Sequence, residues 1–152
     1  MSNVCYLRTP CGWLKIEDDG KFLLSVHFTP APQQPQGEVS FVGSRSARQL
    51  KAYFEGKRPL FDLPLALAGT PFQQAVWRQL SRIPYGQTRT YAQIAAAVGR
   101  PKAARAVGHA CHVNPWGIVI PCHRVVGAAG KLTGYAGGID KKQWLLAWEQ
   151  NS

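Results

Sequence analysis

At Gly69-Thr70 the hydrophobic pattern of this chain changes period, and that change divides what the two parts can fold into. Before it, in "GWLKIEDDGKFLLSVHF", Leu14 and Ile16 alternate with Trp13, Lys15 and Glu17. The run then breaks at Asp18-Asp19-Gly20, as strands joined by a turn do. After it, Phe72, Val76, Leu80 and Ile83 recur three and four residues apart, the stripe of a helix resting on a core. One chain carrying both periods in separate stretches points to a mixed α/β protein in two parts.

Punctuation residues refine the division. Strands are expected over 4–9, 13–17 and 22–28, followed by a loop in the Pro/Gln-rich "TPAPQQPQGE". A helix over 44–55 places Leu50, Tyr53 and Phe54 on one face and stops at Gly56. A second loop, with Pro59 and Pro64, leads to a boundary at Gly69, giving an N-terminal α/β domain over 1–69 and a helical domain over 70–152. In the latter, Thr70 caps a helix whose first residue is Pro71, and "IPYGQTRT" is a connector. Thr90 caps a helix from Tyr91 to Val98 that Gly99 ends. Pro101 restarts a helix through "KAARAVGHACHV", which stops before Asn114-Pro115, and a last helix covers roughly 139–149. Two short helices joined by "GRP" have the grammar of a helix-turn-helix. Ala103, Ala104, Ala106 and Gly108 allow close approach to a large partner, while Lys102 and Arg105 supply charge. The expected class is therefore α+β/α: a small N-terminal sheet-plus-helix domain, then a helical C-terminal domain with a helix-turn-helix.

Charge narrows the partners. Lys and Arg number 18 against 8 acidic residues, a formal net charge of +10, in a chain that is 45% hydrophobic and only 17% charged. A packed, basic protein of this kind is expected to meet a polyanion, nucleic acid first. No basic segment followed by an apolar core marks the N-terminus, and no apolar run is long enough to span a membrane. A cytoplasmic setting is expected, with Cys5, Cys11, Cys111 and Cys122 as thiols.

One of those thiols stands in unusual company. Cys122 lies in "VIPCHRVV", beside His123 and Arg124 and fenced by apolar residues. Basic neighbours lower a thiol's pKa, so the pattern points to a thiol that must become a thiolate. Three chemistries compete. A hydrolase needs a base that hydrogen-bonds the sulfur directly, whereas adjacent residues project apart, so His123 would act through a water. A metal site would draw on His109, Cys111 and His112 of "HACH" with Cys122 and His123, but the spacing matches no common zinc pattern. The third reading is a nucleophile for another reaction.

"TPFQQAVWRQLSRIPYGQTRTYAQIA", "RPKAARAVG", "NPWGIVIPCHR", "GYAGG" and "KKQWLLAWE", in this order, resemble the O6-alkylguanine-DNA alkyltransferases over about 70–149. The N-terminal part resembles them loosely, through "TPCGWLKI". The resemblance implies irreversible transfer of an alkyl group from guanine O6 in double-stranded DNA to the protein, with O4-alkylthymine a candidate second substrate. It also implies one reaction per molecule, a monomer and no cofactor. Some members bind a structural zinc through N-terminal Cys and His, but no matching set is found around Cys5, Cys11 and His27, so no metal is expected. Cys122 resembles the acceptor, His123 its water-linked base, Glu149 the carboxylate orienting the imidazole, and Asn114 the brace of the turn holding the thiol. Tyr91 resembles a phenol donating toward the base's N3 edge, supported by Lys142. The N–H of Ala136 and the carbonyls of Cys122 and Val125 would read the guanine. Arg105 resembles the finger that fills the stack after the nucleotide flips out. Arg100, Lys102, Ala103, Ala104, Gly108 and Thr90 would meet the DNA, the small residues suiting a narrow minor groove. Trp116-Gly117 are expected on the pocket-side loop. Two rival readings remain at this level: a damage-binding module that leaves the thiol unreacted, and a cysteine hydrolase with multiple turnover.

Overall fold

Alternation along the first strands becomes a sheet face. The computed structural model describes residues 2–34, 36–57 and 60–151; Pro35 and Pro59, assigned above to loops, lie outside the described residues. Strands β1 (Asn3–Thr9), β2 (Gly12–Asp18) and β3 (Leu23–Thr29) form an antiparallel meander in the order β1-β2-β3. Cys5 faces Ile16, and Ile16 faces Val26, across the three strands. Leu14, Ile16 and Val26 are almost wholly buried, so the apolar half of the alternation points to a core. Helix α1 (Phe41–Phe54) covers it through Val42, Leu50, Tyr53 and Phe54. The helix starts three residues before the expected position because Ser40 caps it, accepting from Gly43 N–H. Buried Asp18 in turn accepts from the Ser40 hydroxyl at 2.7 Å and from Gly20 N–H at 2.8 Å, so the hairpin turn and the helix start share one carboxylate.

The described residues fall into two units, the first spanning those of Met1–Ala66 with Pro115–Val119, the second those of Leu67–Asn114 with Ile120–Ser152. The detour of 115–119 has a physical basis. Val26 N–H donates to Pro115 O, Gly117 N–H donates to Val26 O, and the buried Trp116 indole donates to Leu23 O at 2.9 Å. Three hydrogen bonds and a large buried aromatic tie this segment to the exposed edge of β3.

In the second unit, helix α2 (Pro71–Leu80) opens with a full capping box: Thr70 accepts from Gln73 N–H while the Gln73 side chain takes Thr70 N–H. Gly69, at φ 94°, leaves no room for a side chain, since a Cβ there would lie 2.8 Å from the Trp77 ring. The same box, Thr90 with Gln93, starts α3 (Tyr91–Ala97) directly after β4 (Arg89–Thr90). Helix α4 runs Ala104–His112. It does not restart at Pro101: Ala103 N–H closes a turn onto Arg100 O at 2.9 Å, and Ala103 caps without a side-chain oxygen. The Trp77 indole donates to Ala110 O at 2.9 Å and ties α2 to α4. Strand β5 (Val125–Val126) pairs in parallel with β4, Arg89 opposite Val125. Helix α5 (Ile139–Asn151) closes the unit, burying Lys142, Leu145, Leu146 and Glu149. Among the described residues the chain is thus mixed α/β, with a small antiparallel sheet and five α-helices. None of those helices is long and apolar enough to cross a membrane.

Candidate active site

Cys122 begins a single 3₁₀ turn, Cys122–Arg124, between Pro121 and β5. Its approach is braced. Ile120 O accepts from both Cys122 N–H, at 2.8 Å, and the Asn114 amide, at 2.9 Å, which saturates both lone pairs of that carbonyl. The turn then splits its three side chains. Cys122 faces a cavity of about 380 Å³ lined by residues from α3, α4 and the loop before α5, Tyr91, Arg105, Gly108, Thr133 and Ala136 among them. His123 and Arg124 face the other way, toward α5.

There Glu149 organises the buried side. It lies 2.7 Å from His123 Nε2, accepts from Arg124 Nε at 2.7 Å and Nη2 at 3.0 Å, and takes Gly86 N–H at 3.4 Å. Arg124 also donates to Ile83 O at 2.8 Å and lies over the Tyr85 ring, so the connector before β4 is fastened to the same cluster. With Nε2 donating to the carboxylate, the neutral imidazole carries its lone pair on Nδ1. That atom is buried and has no hydrogen-bond partner among the described residues. A base is thus held in one tautomer with its basic nitrogen uncommitted.

On the cavity side, Tyr91 opens α3 with its phenol oxygen 2.7 Å from Thr133 Oγ1 and 3.4 Å from Lys142 Nζ. Lys142 is fully buried. Arg105 is exposed and also lines the cavity, which places it at the mouth.

The model of the family described as 6-O-methylguanine DNA methyltransferase, DNA binding domain, matches residues 71–151. The chain is similar to methylated-DNA–protein-cysteine methyltransferases of Methanosarcina barkeri (45% identical, covering 96% of both chains) and Mycolicibacterium paratuberculosis (57% identical, 93% of this chain and 88% of that one). It also superposes on the Mycobacterium tuberculosis protein OGT crystallised in complex with DNA, with a TM-score of 0.86, 43% identity, and coverage of 99% of this chain and 92% of that one. The chain belongs to the 6-O-methylguanine DNA methyltransferase family.

Electrostatics change one expectation read from the sequence. The basic neighbours of Cys122 do not make it a thiolate at rest. Burial drives its pKa up, more than the hydrogen bond with Asn114 and the charge of Lys142 lower it. Arg124, the cation next in sequence but one, is occupied by Glu149 instead. Burial likewise keeps His123 neutral, with Glu149 opposing and the Arg124 and Lys142 charges assisting. Burial also pushes Glu149 up, but the hydrogen bonds and charges of His123 and Arg124 outweigh it and hold the carboxyl well below its usual range. Burial lowers the pKa of Lys142, partly restored by the two cavity thiols, Cys111 and Cys122.

Other expected residues fall in varied places. Ala104, Arg105, Gly108 and Ala136 line the cavity, as do Cys111 and His112. Lys102 is exposed in the turn before α4, and half-buried Ala103 caps that helix. Arg100 lies over the Phe72 ring, and the Thr90 hydroxyl is engaged with Gln93 N–H. Val125 is fully buried, paired in β5, and stands outside the cavity lining. Cys122 O already accepts from Val125 N–H, leaving one lone pair for another donor. Trp116-Gly117 belong to the first unit and not to the cavity wall, which corrects the pocket-side expectation. His109 and His112 are exposed whereas Cys111 is buried, and no group of three or more metal-binding side chains occurs among the described residues. Two contacts lie beyond local sequence reading: Arg124, visible in "PCHR" beside the thiol, bonds Glu149 instead, and no local pattern marks Thr133 as the partner of Tyr91.

Proposed function

We propose that the protein reverses O6-alkylation of guanine in double-stranded DNA by moving the alkyl group onto Cys122 Sγ, once per molecule. The observation that carries this reading is the buried Cys122 facing a base-sized, largely apolar cavity, with the His123–Glu149 pair behind it. The thiol proton leaves through an intervening water to His123 Nδ1, the buried lone pair described above. The S–C bond forms as the C–O6 bond breaks, and the electron pair stays on the departing guanine. Tyr91 offers that base a proton, and Lys142 stabilises the phenol oxygen it leaves behind. Asn114 keeps the turn rigid. The N–H of Ala136 and the second lone pair of Cys122 O supply base contacts, joined by Val125 O, which is set back from the cavity lining.

Helices α3 and α4 then act as a helix-turn-helix in a separate DNA-binding, catalytic part of the chain, α4 carrying Arg105 at the cavity mouth. Lesions inside a duplex reach Cys122 only after extrusion, which costs a few kcal/mol, and Arg105 offsets this by occupying the vacated stack. Arg100 and Lys102, with the small Ala103, Ala104 and Gly108 and the nearby Thr90, accommodate the backbone and groove. The net charge of +10 and the DNA complex of the Mycobacterium tuberculosis relative support this reading. Unbridged thiols among the described residues support a reducing, cytoplasmic setting; in this reading the protein acts as a monomer and without a cofactor. O4-alkylthymine, smaller than the purine, is a second substrate of the same cavity.

Mixing the protein with excess duplex containing O6-methylguanine tests the reading. Product is expected to stop at one equivalent, with a methyl's mass on the peptide holding Cys122, because a thioether offers water no acyl carbon to attack. Sustained turnover, or binding with Cys122 unchanged, would refute it. Arg105→Ala is expected to slow duplex repair while leaving reaction with free O6-methylguanine unaltered, since a free base needs no unstacking.

A further inference from the structure

Resting on that reading, we infer that Thr133 is a positioning residue for alkyl transfer: its hydroxyl holds the Tyr91 phenol and releases the phenol's proton to an incoming base. A phenol oxygen has one proton to give and two lone pairs. Lys142, as an ammonium, can only donate, and its Nζ lies 3.4 Å from Tyr91 Oη. Thr133 Oγ1, 2.7 Å from the same atom, can either accept or donate. Two arrangements follow. With Tyr91 donating to Thr133, the phenol proton is parked and the oxygen also accepts from Lys142. With Thr133 donating, both lone pairs of the phenol are filled by Thr133 and Lys142, and the proton has no direction left except the cavity. Rotation of two hydroxyl groups interconverts them without moving a heavy atom. Burial, moreover, raises the pKa of the phenol and keeps it protonated until a base presents itself.

The threonine is built to stay in place. A Cβ added at Gly127 would fall 3.2 Å from Thr133 Cγ2, so the methyl already packs against the bare backbone of that glycine. The loop carrying it is closed by Gly127 N–H to Lys131 O at 2.8 Å and Gly130 N–H to Gly127 O at 3.1 Å. The methyl fixes the rotamer, which aims the hydroxyl. Thr133 lines the cavity beside Tyr91 and Ala136, so it reaches the phenol from the side where the base must enter.

Valine keeps this shape and lacks the hydroxyl; serine keeps the hydroxyl and lacks the methyl. Single-turnover transfer from an O6-methylguanine duplex is followed at increasing DNA concentration, with Cys122 methylation read by mass spectrometry. Thr133→Val should lower the limiting rate by roughly three- to tenfold, the net worth of one hydrogen bond, with the half-saturating DNA concentration unchanged. Thr133→Ser should recover most of the rate. In a Tyr91→Phe background, Thr133→Val should cause no additional loss, because the group it positions is gone. A valine variant as fast as the parent, a serine variant as slow as valine, or an equal loss with and without the Tyr91 hydroxyl would each overturn the assignment. If the parent protein transferred no methyl to Cys122, the proposed function would fall and take this inference with it. A parent that transfers normally beside an unaffected valine variant would overturn Thr133 alone.

Discussion

Glu149 is the residue on which the buried side of the site converges. It receives two bonds from Arg124 and one from His123, so neutralising it strips partners from a guanidinium and an imidazole at once. Removing one member of a buried ion pair leaves the other's charge uncompensated, and Glu149→Gln should cost about 3–5 kcal/mol of stability at neutral pH. Chemical denaturation measures it; a loss under 1 kcal/mol would mean Arg124 finds other partners. The pH dependence has a definite sign. Glu149 has a lower pKa folded than unfolded, so its contribution is complete above the ordinary carboxylate range and lost as pH falls through and below it. His123 also titrates lower in the fold, and its part is present above the ordinary pKa of 6.5 and fades on acidification below that. The parent should therefore lose stability from about pH 6.5 downward, more steeply in the carboxylate range, and Glu149→Gln should remove the steeper part.

At the scale of elements, Gly108 offers a separable test. It lies inside α4, where glycine costs about 0.5–1 kcal/mol relative to alanine, and an added Cβ would meet the Tyr91 ring at an ordinary 3.8 Å. Gly108→Ala should raise the melting temperature by about 2–4 °C. Because the new methyl enters the cavity wall, transfer of a benzyl group should slow more than transfer of a methyl. A lower melting temperature would show that the ring cannot accept the contact. What the sequence made legible follows from range. Thr70 and Thr90 could be read as caps because a cap and its partner lie three residues apart. The three strands and the turn between β2 and β3 could be read because alternation and turn residues are local, whereas their order β1-β2-β3 comes from the structure. The pairing of β4 with β5 could not: it spans only two residues on each side and joins segments 36 positions apart. The same holds for Trp116, whose surroundings are set by Leu23, and for Thr133, whose partner is on α3. Cys122 and His123 stand out in the local run "VIPCHRVV" and Glu149 only through motif resemblance, whereas their protonation states depend on burial that no spacing reveals.

For the whole molecule, the buried thiol described above governs how long a copy stays useful. An acceptor that reacts once is consumed equally by its lesion and by any stray electrophile in solution. A thiolate held open to solvent would be quick with both. Here Cys122 rests protonated and shielded, and burial holds Cys111 beside it up to about 12 and Cys5 up to about 11. Iodoacetamide under native conditions should therefore label half-buried Cys11 well before Cys122, as peptide mapping over time would show; preferential labelling of Cys122 would contradict this. Under the proposed function, kinetic selectivity resides in the delayed loss of one proton: a thiol at rest protonated by burial stays unreactive through most encounters and becomes a nucleophile only when a base fills the cavity, which would set its working lifetime by damage to DNA and not by the chemistry of the surrounding fluid.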